Sequence, residues 1–364
     1  MMVFRPVPPD GATQMPITIG LDLAKRTSWY AAVDETDRLI DDGKIPSTAE
    51  AIQRIVKRFD PDMVLVEASS ITAWAVDTLV DMHANVWPVH PGSLPTRRQR
   101  RKKTDKVDAH LLVRLYRAGM LTKAWIPTKG LRDLRNLVRG RHRLAVDRTK
   151  FRNRIHATLN QEGERVRIDD MEVDGKGVFS AKGRRFVLNE HPELAGLFEV
   201  QDLLSVHMKK LNRRIEQIGQ EIEAVRTLRT VPGIGPMVSL AFYSEIGDID
   251  RFEKAEQVVA YLGLDPMVEQ SGDTVKHLGI SHKGPGWLRG IFTEAAWTHV
   301  RHAPDSYITH KHNELVKRIG KKKAAVATTR RLVKTAFWVW KEGVPFESSG
   351  RTPGLACRHA TAVA

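Results

Sequence analysis

The change of texture at about residue 129 constrains this chain most. Upstream, apolar residues fall in short runs divided by turn residues. Downstream, "LRDLRNLVRGRHRLAVDRTKFRNRIHATLNQ" carries them at helical spacing. One chain must therefore build a strand-bearing part and a helical part, and 364 residues suffice for two or three cores.

In the first part, "ITIGLDLAKRTSWYAAVDETDRLIDDGKI" alternates apolar runs with turn residues at Asp34 to Asp37 and Asp41 to Gly43, which predicts three consecutive antiparallel strands. "STAEAIQRIVKRF" reads as a helix with a Ser47/Glu50 capping box and an apolar stripe of Ile52, Ile55 and Val56. The apolar run "MVLVEAS" reads as a buried strand, followed by a helix over roughly 71–83 and a strand at "NVWPVH". Three strands and then alternating helix and strand make the fold class α/β, with a mainly α remainder.

In the second part strands vanish. The long basic helix carries eight arginines between Arg132 and Arg154. A polar stretch with four glycines, 162–194, separates it from a second helix in which Leu204, Met208, Leu211, Ile215, Ile218, Ile222 and Val225 step by four and three. That regularity predicts a coiled coil and a homo-oligomer, dimer or tetramer. The region from 229 reads as mostly helical, and the tail from 346 as disordered. The expected domains are 1–125, 126–228, 229–345 and the tail 346–364.

Charge narrows the partners. Lys and Arg number 58 against 43 Asp and Glu, a formal charge of +15, which favours a polyanion, nucleic acid first. The sole cysteine, Cys357, excludes a disulfide framework or thiolate zinc site within one chain. No apolar run approaches the roughly 20 residues that cross a bilayer, and the leader lacks the apolar core of a signal peptide, so the expected location is cytoplasmic.

Against this basic background four carboxylates stand out. Asp22 ends the first strand between Leu21 and Leu23, and Glu67 lies near the end of "VLVEAS"; each is costly at an apolar strand unless a cation offsets it. Asp105 and Asp108, in "TDKVDAHLLVRL", share one helix face by their three-residue spacing. Four converging carboxylates suit two Mg²⁺ ions, which as hard cations take oxygen ligands. Just upstream, "RRQRRKK" sets Arg97, Arg98, Arg100, Arg101, Lys102 and Lys103 where a phosphate backbone would be drawn in. "VPGIGP" resembles the hairpin of helix-hairpin-helix modules, in which Gly233 and Gly235 would let backbone N–H groups approach a phosphate. "EQSGDTVKHLGISHKGPGWLR" reads as a glycine-punctuated loop with Ser271, Ser281, His277 and His282 near Lys276, Lys283 and Arg289, the polar kit of phosphoryl transfer.

The ordered set "GLDLAK", "VLVEAS", "KTDKVDAHLL", "VPGIGP", "YLGLDP", "SGD" and "GISHKGPGWLR" resembles the DEDD transposases of the bacterial insertion sequence one-ten family, over about residues 16–340. The resemblance implies a RuvC-like, ribonuclease-H-type domain with Asp22, Glu67, Asp105 and Asp108 as catalytic metal ligands. It further implies a coiled-coil linker and a C-terminal transposase domain with a serine nucleophile. Ser271 matches that position, with Ser281 as the fallback, since many relatives carry two serines where this chain has Gln270-Ser271. Donor and target DNA, a structured guide RNA from the element, and a bacterial, nucleoid-associated setting are implied as well. The alternatives are a RuvC-type junction nuclease acting by hydrolysis, a sugar-kinase or actin-like ATPase, and an architectural nucleic-acid protein. The ATPase lacks its later Asp-Gly-Gly loop here and does not suit the charge.

Overall fold

The computed structural model describes residues 16–94, 105–161, 177–271 and 274–349; the side chains of 105–107, 268–271 and 274–277 are outside that description. The leader, the Arg97 to Lys103 run, residues 162–176 and the tail from 350 therefore lie outside the described residues. Two compact units result, Met1–Lys129 and Gly130–Ala364.

The first unit is built on a five-stranded mixed sheet in the order β3-β2-β1-β4-β5. Strands β1 (Thr18–Asp22), β2 (Thr27–Val33) and β3 (Leu39–Pro46) form an antiparallel meander. Parallel to β1 run β4 (Met63–Glu67) and then β5 (Val86–Val89). Helix α1 (Ala49–Phe59) makes the crossover between β1's meander and β4, and α2 (Thr72–Asp81) the one between β4 and β5. Ile19 and Leu21 pack with Ile52, Ile55, Ala75 and Leu79, so α1 and α2 cover one face of the sheet. Helix α3 (Asp105–Arg117) covers the other, where Leu112 and Val113 meet Val33, Leu65 and Val89.

Two local expectations shift. The turn expected at Asp41 to Gly43 lies inside β3: Asp41 and Asp42 pair with Ala32 and Ala31, and their carboxylates take protein partners, Asp41 the Tyr30 hydroxyl (2.9 Å) and Arg58 (2.8 Å), Asp42 the His110 ring (2.9 Å). The N-cap of α1 is Thr48, not Ser47. Thr48 Oγ1 accepts from the Ala51 amide (3.3 Å), while Ser47 Oγ donates to the Ala24 carbonyl (2.7 Å) and so ties the β1–β2 turn to the helix entrance.

The second unit starts with α4 (Lys129–Gln161), a single helix of 33 residues. After the short α5 (Ala181–Glu190), α6 (Ala195–Glu221) returns along α4. Ile155 and Leu159 cluster with Phe198 at one end and Val138 with Ile215 at the other, so the two helices run antiparallel, and Arg141 Nε donates to Asn212 Oδ1 (2.9 Å) between them. Of the heptad residues on α6, Met208 and Ile215 are buried within the chain, while Leu204, Leu211 and Ile218 are half-buried. The seam also stops early. Ile222 takes extended backbone (φ −99°, ψ 113°), and Val225 belongs to a separate helix α7 (Glu223–Leu228) folded back so that Gly219 meets it. The polar stretch is not all loop either, since α5 lies in it, capped by Ser180 Oγ.

Helices α8 (Pro236–Ile246), α9 (Ala255–Tyr261), α10 (Gly286–His302), α11 (Tyr307–Ile319) and α12 (Lys321–Glu342) complete this unit around one large core containing Phe242, Phe292, Leu332 and Phe337. Strands do recur: the expected glycine loop forms a hairpin of β6 (Pro266–Ser271) and β7 (Thr274–Ile280). Thr274, Val275 and Ile280 are β-branched, which favours the extended backbone that the glycines had obscured. No helix among the described residues is long and apolar enough to cross a membrane.

Candidate functional site

The two strand-end carboxylates are brought side by side by register. Leu21 pairs with Val66 in the parallel β1–β4 ladder, so the next residues, Asp22 and Glu67, leave the sheet together. Alternation along a strand puts Asp22 on the face of Gly20 and Glu67 on the face of Leu65, which is the face α3 covers. Both are half-buried.

Helix α3 reaches this place because of Gly20. A Cβ at Gly20 would lie 2.1 Å from the Ala109 carbonyl oxygen and 3.2 Å from Val113 Cγ2, so only glycine lets the helix backbone settle on β1. Ala109 is fully buried there, and Asp108 precedes it directly. Asp105 opens the same helix one turn earlier; its side chain is outside the described residues.

Two further contacts hold α3. His110 Nε2 meets Asp42 Oδ2 of β3 at 2.9 Å, and the Arg117 guanidinium donates to the Asp37 carboxylate and the Asp34 carbonyl in the β2–β3 turn. Asp34 itself braces that turn, accepting from Thr36 Oγ1 (2.7 Å) and from the amides of Thr36 (2.9 Å) and Arg38 (3.0 Å). These bonds, the Thr36 hydroxyl foremost, hold the Asp34 carboxyl below its usual range. None of Gly20, His110 or Arg117 was singled out by sequence. A glycine inside an apolar strand was the available signal.

The donor set of Asp22, Glu67 and Asp108 is all carboxylate oxygen, the chemistry that hard divalent cations take. Among the described residues no three His, Cys, Asp or Glu side chains close on a single metal position. Asp22 and Glu67 share the face that α3 covers, and Asp105 and Asp108 lie in the first turn of that helix.

In the second unit, Ser271 ends β6 opposite Thr274, at the tip of the hairpin. Ser281 sits at its base, where its hydroxyl donates to the Asp265 carboxylate and its amide to the Asp265 carbonyl (2.9 Å). The two serines are therefore distinct: one at a tip, one built into a turn. The lysine at 276 has its side chain outside the described residues, whereas Lys283 is exposed. Arg289 has a structural partner, Nη1 donating to the Leu262 carbonyl (2.7 Å). Beside it Gly263 (φ +68°) and Gly284 let two loops touch backbone to backbone; a Cβ on Gly284 would meet the Tyr261 carbonyl at 2.1 Å.

The glycines of "VPGIGP" divide in the same way. Gly233 has φ +90°, and a Cβ there would meet the Ala295 carbonyl at 2.3 Å, so it is needed to seat the turn on α10. Gly235 faces open space, as the N-cap of α8. His299 fixes the seat: Nδ1 donates to the Pro232 carbonyl (2.7 Å), which leaves Nε2 to accept from Ser306 Oγ (2.9 Å). Burial pushes its pKa down, opposed by the Pro232 carbonyl. The pair is buried and structural.

Sequence reasoning also missed Glu245. In the apolar α8 its carboxylate is 1% exposed and receives Arg139 Nε (2.6 Å) and Nη2 (2.8 Å), while Arg135 donates from Nε to the Ser244 carbonyl (2.7 Å) and from Nη2 to the Glu245 carbonyl (2.7 Å). Two of the basic helix's arginines are thus spent on holding α4 to the C-terminal helices. The signal was a glutamate in an apolar run, the same one that marked Glu67.

Comparison with known proteins agrees with this layout. A DEDD transposase model of the IS110 type matches residues 19–163, and the model described as Transposase IS116/IS110/IS902 family matches residues 225–311. The first contains the carboxylates, and the second contains the serine hairpin. Among curated proteins, the chain is 28% identical over 295 residues to "Putative transposase y4qE" of Sinorhizobium fredii, covering 77% of this chain and 71% of the relative. It is 24% identical over 342 residues to the transposase for insertion sequence element IS1111A of Coxiella burnetii, covering 88% of each. With both halves matched in order, the chain belongs to the IS110 family of insertion-sequence transposases, which are DNA-processing enzymes.

Proposed function

We propose that the protein moves its insertion sequence by cutting and rejoining DNA through a covalent serine link, with a carboxylate metal site in the first unit and Ser271 in the second. The observation that carries this is the pair Asp22 and Glu67 at adjacent strand ends, on the face where Gly20 admits α3 with Asp108. The strand order β3-β2-β1-β4-β5, an antiparallel meander continued by parallel strands, supports a ribonuclease-H-like, RuvC-like assignment. Asp22, Glu67, Asp105 and Asp108 would hold Mg²⁺, two ions in the fullest form, which supplies charge neutralisation at the scissile phosphate.

Ser271 Oγ attacks phosphorus; the new O–P bond replaces the P–O bond of the DNA strand, whose displaced oxygen leaves with a proton as a hydroxyl. The link conserves the phosphodiester, so rejoining is the reverse attack by a DNA hydroxyl and needs no external energy source. Ser281 is the weaker choice because its hydroxyl is engaged by Asp265. A structured RNA of the element is the proposed guide to donor and target DNA, consistent with a +15 chain suited to backbone and shape recognition.

The test is to trap the protein on donor DNA, digest it and sequence the adduct. The expected product is a phosphopeptide at Ser271, absent in Ser271→Ala, which also loses strand exchange. Mg²⁺-dependent cutting by Ser271→Ala at the wild-type rate, with no adduct in either protein, would establish hydrolysis of the junction-nuclease kind instead.

A further inference from the structure

The second unit contains a cavity of about 1060 Å³ walled by the base of the β6–β7 hairpin, α11 and α12. Its floor is apolar: Leu264, Leu315, Val326 and Trp338 line it. Leu278 and Ile319 are 46% and 37% exposed, a loss of apolar burial that a free protein gains nothing from.

Its charge is one-sided. Lys311 and Lys334 are already matched by Glu314 (2.8 Å) and Glu256 (2.7 Å). Lys322, Lys323, Arg330 and Arg331 also line the cavity; among the described residues Arg331 feels the Glu314 carboxylate, whereas Lys322, Lys323 and Arg330 show no ion pair. Arg330 Nε is buried with no hydrogen-bond partner among them. Burial pushes the Arg331 pKa down, so part of that guanidinium is held out of water. Lys322 and Lys323 sit in the first turn of α12, where the helix's own amide dipoles add positive potential. Cations at the rim of an apolar floor suit an anion with an apolar body.

Unpaired nucleotides have that composition. Their bases stack on aromatic and apolar side chains while their phosphates take the cations. Position selects the strand: Pro266 and Met267 line the cavity, and Ser271 lies five residues further along β6, roughly 17 Å at strand rise. We propose that the cavity holds unpaired nucleotides of the DNA strand joined at Ser271, keeping the severed end in place; this rests on Ser271 as the nucleophile.

The experiment is fluorescence anisotropy of labelled single-stranded DNA, the corresponding duplex and RNA of the same sequence, with wild type, Leu278→Ser/Ile319→Ser and Lys322→Ala/Arg330→Gln. The apolar positions are exposed, so the first variant keeps its fold. Single-stranded DNA is expected to bind it about tenfold more weakly, with duplex binding unchanged. The second variant lowers the single-strand log–log salt slope by about 0.7 per cation removed. Ser271→Ala retains cavity binding, so absence of an adduct at Ser271 in the wild type, with these effects intact, overturns only the nucleophile. An adduct at Ser271 without these effects overturns only the cavity. Equal single-strand affinity in all proteins, weakening confined to RNA, or a change of particle mass by light scattering in the apolar variant that marks a contact between copies would each overturn the proposal.

Discussion

Gly20→Ala tests whether seating α3 on β1 is what assembles the carboxylates. The new Cβ would stand 2.1 Å from the Ala109 carbonyl oxygen, while real Cβ contacts stay above 3.0 Å, so strand and helix must part by about 0.9 Å. Backbone faces the new methyl, and Leu112, Val113 and Ala109 are buried around it, leaving no flexible chain end to yield. Overpacking of this kind costs about 1–3 kcal/mol. Alanine returns about 0.4–1 kcal/mol by stiffening the unfolded chain, so the expected net loss is about 1–2 kcal/mol. Function should suffer more, because a shift near 1 Å of catalytic groups costs about a hundredfold in rate. The assays are urea denaturation and strand-exchange kinetics, with DNA affinity measured in parallel and expected to hold, since binding rests on Lys and Arg. Gly140→Ala, in α4 with nothing within 4 Å of its added Cβ, serves as control and should be neutral or stabilising. Wild-type stability together with wild-type exchange in Gly20→Ala would refute the seating argument.

Three other outcomes are expected. Glu245→Gln breaks the bidentate pair with Arg139 and should lower the denaturation free energy of the second unit by about 3 kcal/mol; no change in the urea midpoint would show that the cluster is not holding α4. Ile215→Ala, on the seam buried against α4, should cost about 2–5 kcal/mol without any change of particle mass, and a mass change at full stability would place the seam between copies instead. His142, His299 and His312 all have pKa values pushed below the usual histidine value by burial. The unfolded chain therefore takes up protons first as pH falls, so their contribution is intact above about pH 6.5 and lost below it. The melting temperature should drop between pH 7.5 and 5.5, less steeply in His299→Gln, and a flat profile would count against buried neutral imidazoles.

Much of the first unit was legible because alternation and turn residues are local signals. The meander, both crossovers and the helix bearing Asp105 and Asp108 follow from period and punctuation. What misled was equally local. The acids at 41 and 42 looked like a turn because sequence does not show that Tyr30, Arg58 and His110 engage their carboxylates. Ser47 looked like a cap because Thr48, one residue on, offers the same hydroxyl. In the second unit the heptad stated that one face of α6 is covered, and nothing in its period distinguishes a partner chain from α4 returning in the same one.

The glycines make the sharper case, because a glycine states that something comes close and not what. Gly233 was read toward phosphate, yet like Gly263 and Gly284 it is already required by protein backbone within 3 Å of its missing Cβ. Gly20, passed over in sequence, has the same cause and the larger consequence, since the backbone it admits carries Asp108. Charge behaves alike: Arg135, Arg139 and Arg289 contribute to the +15 total but are spent on carbonyls and on Glu245, whereas Lys322 and Lys323 line a cavity. A basic residue in this chain thus becomes a candidate for nucleic acid only after its protein partners have been subtracted. For the nucleic-acid binding proposed for the second unit, that subtraction moves the weight from the arginines of α4 with protein partners toward the first turn of α12 and the hairpin beside Ser271.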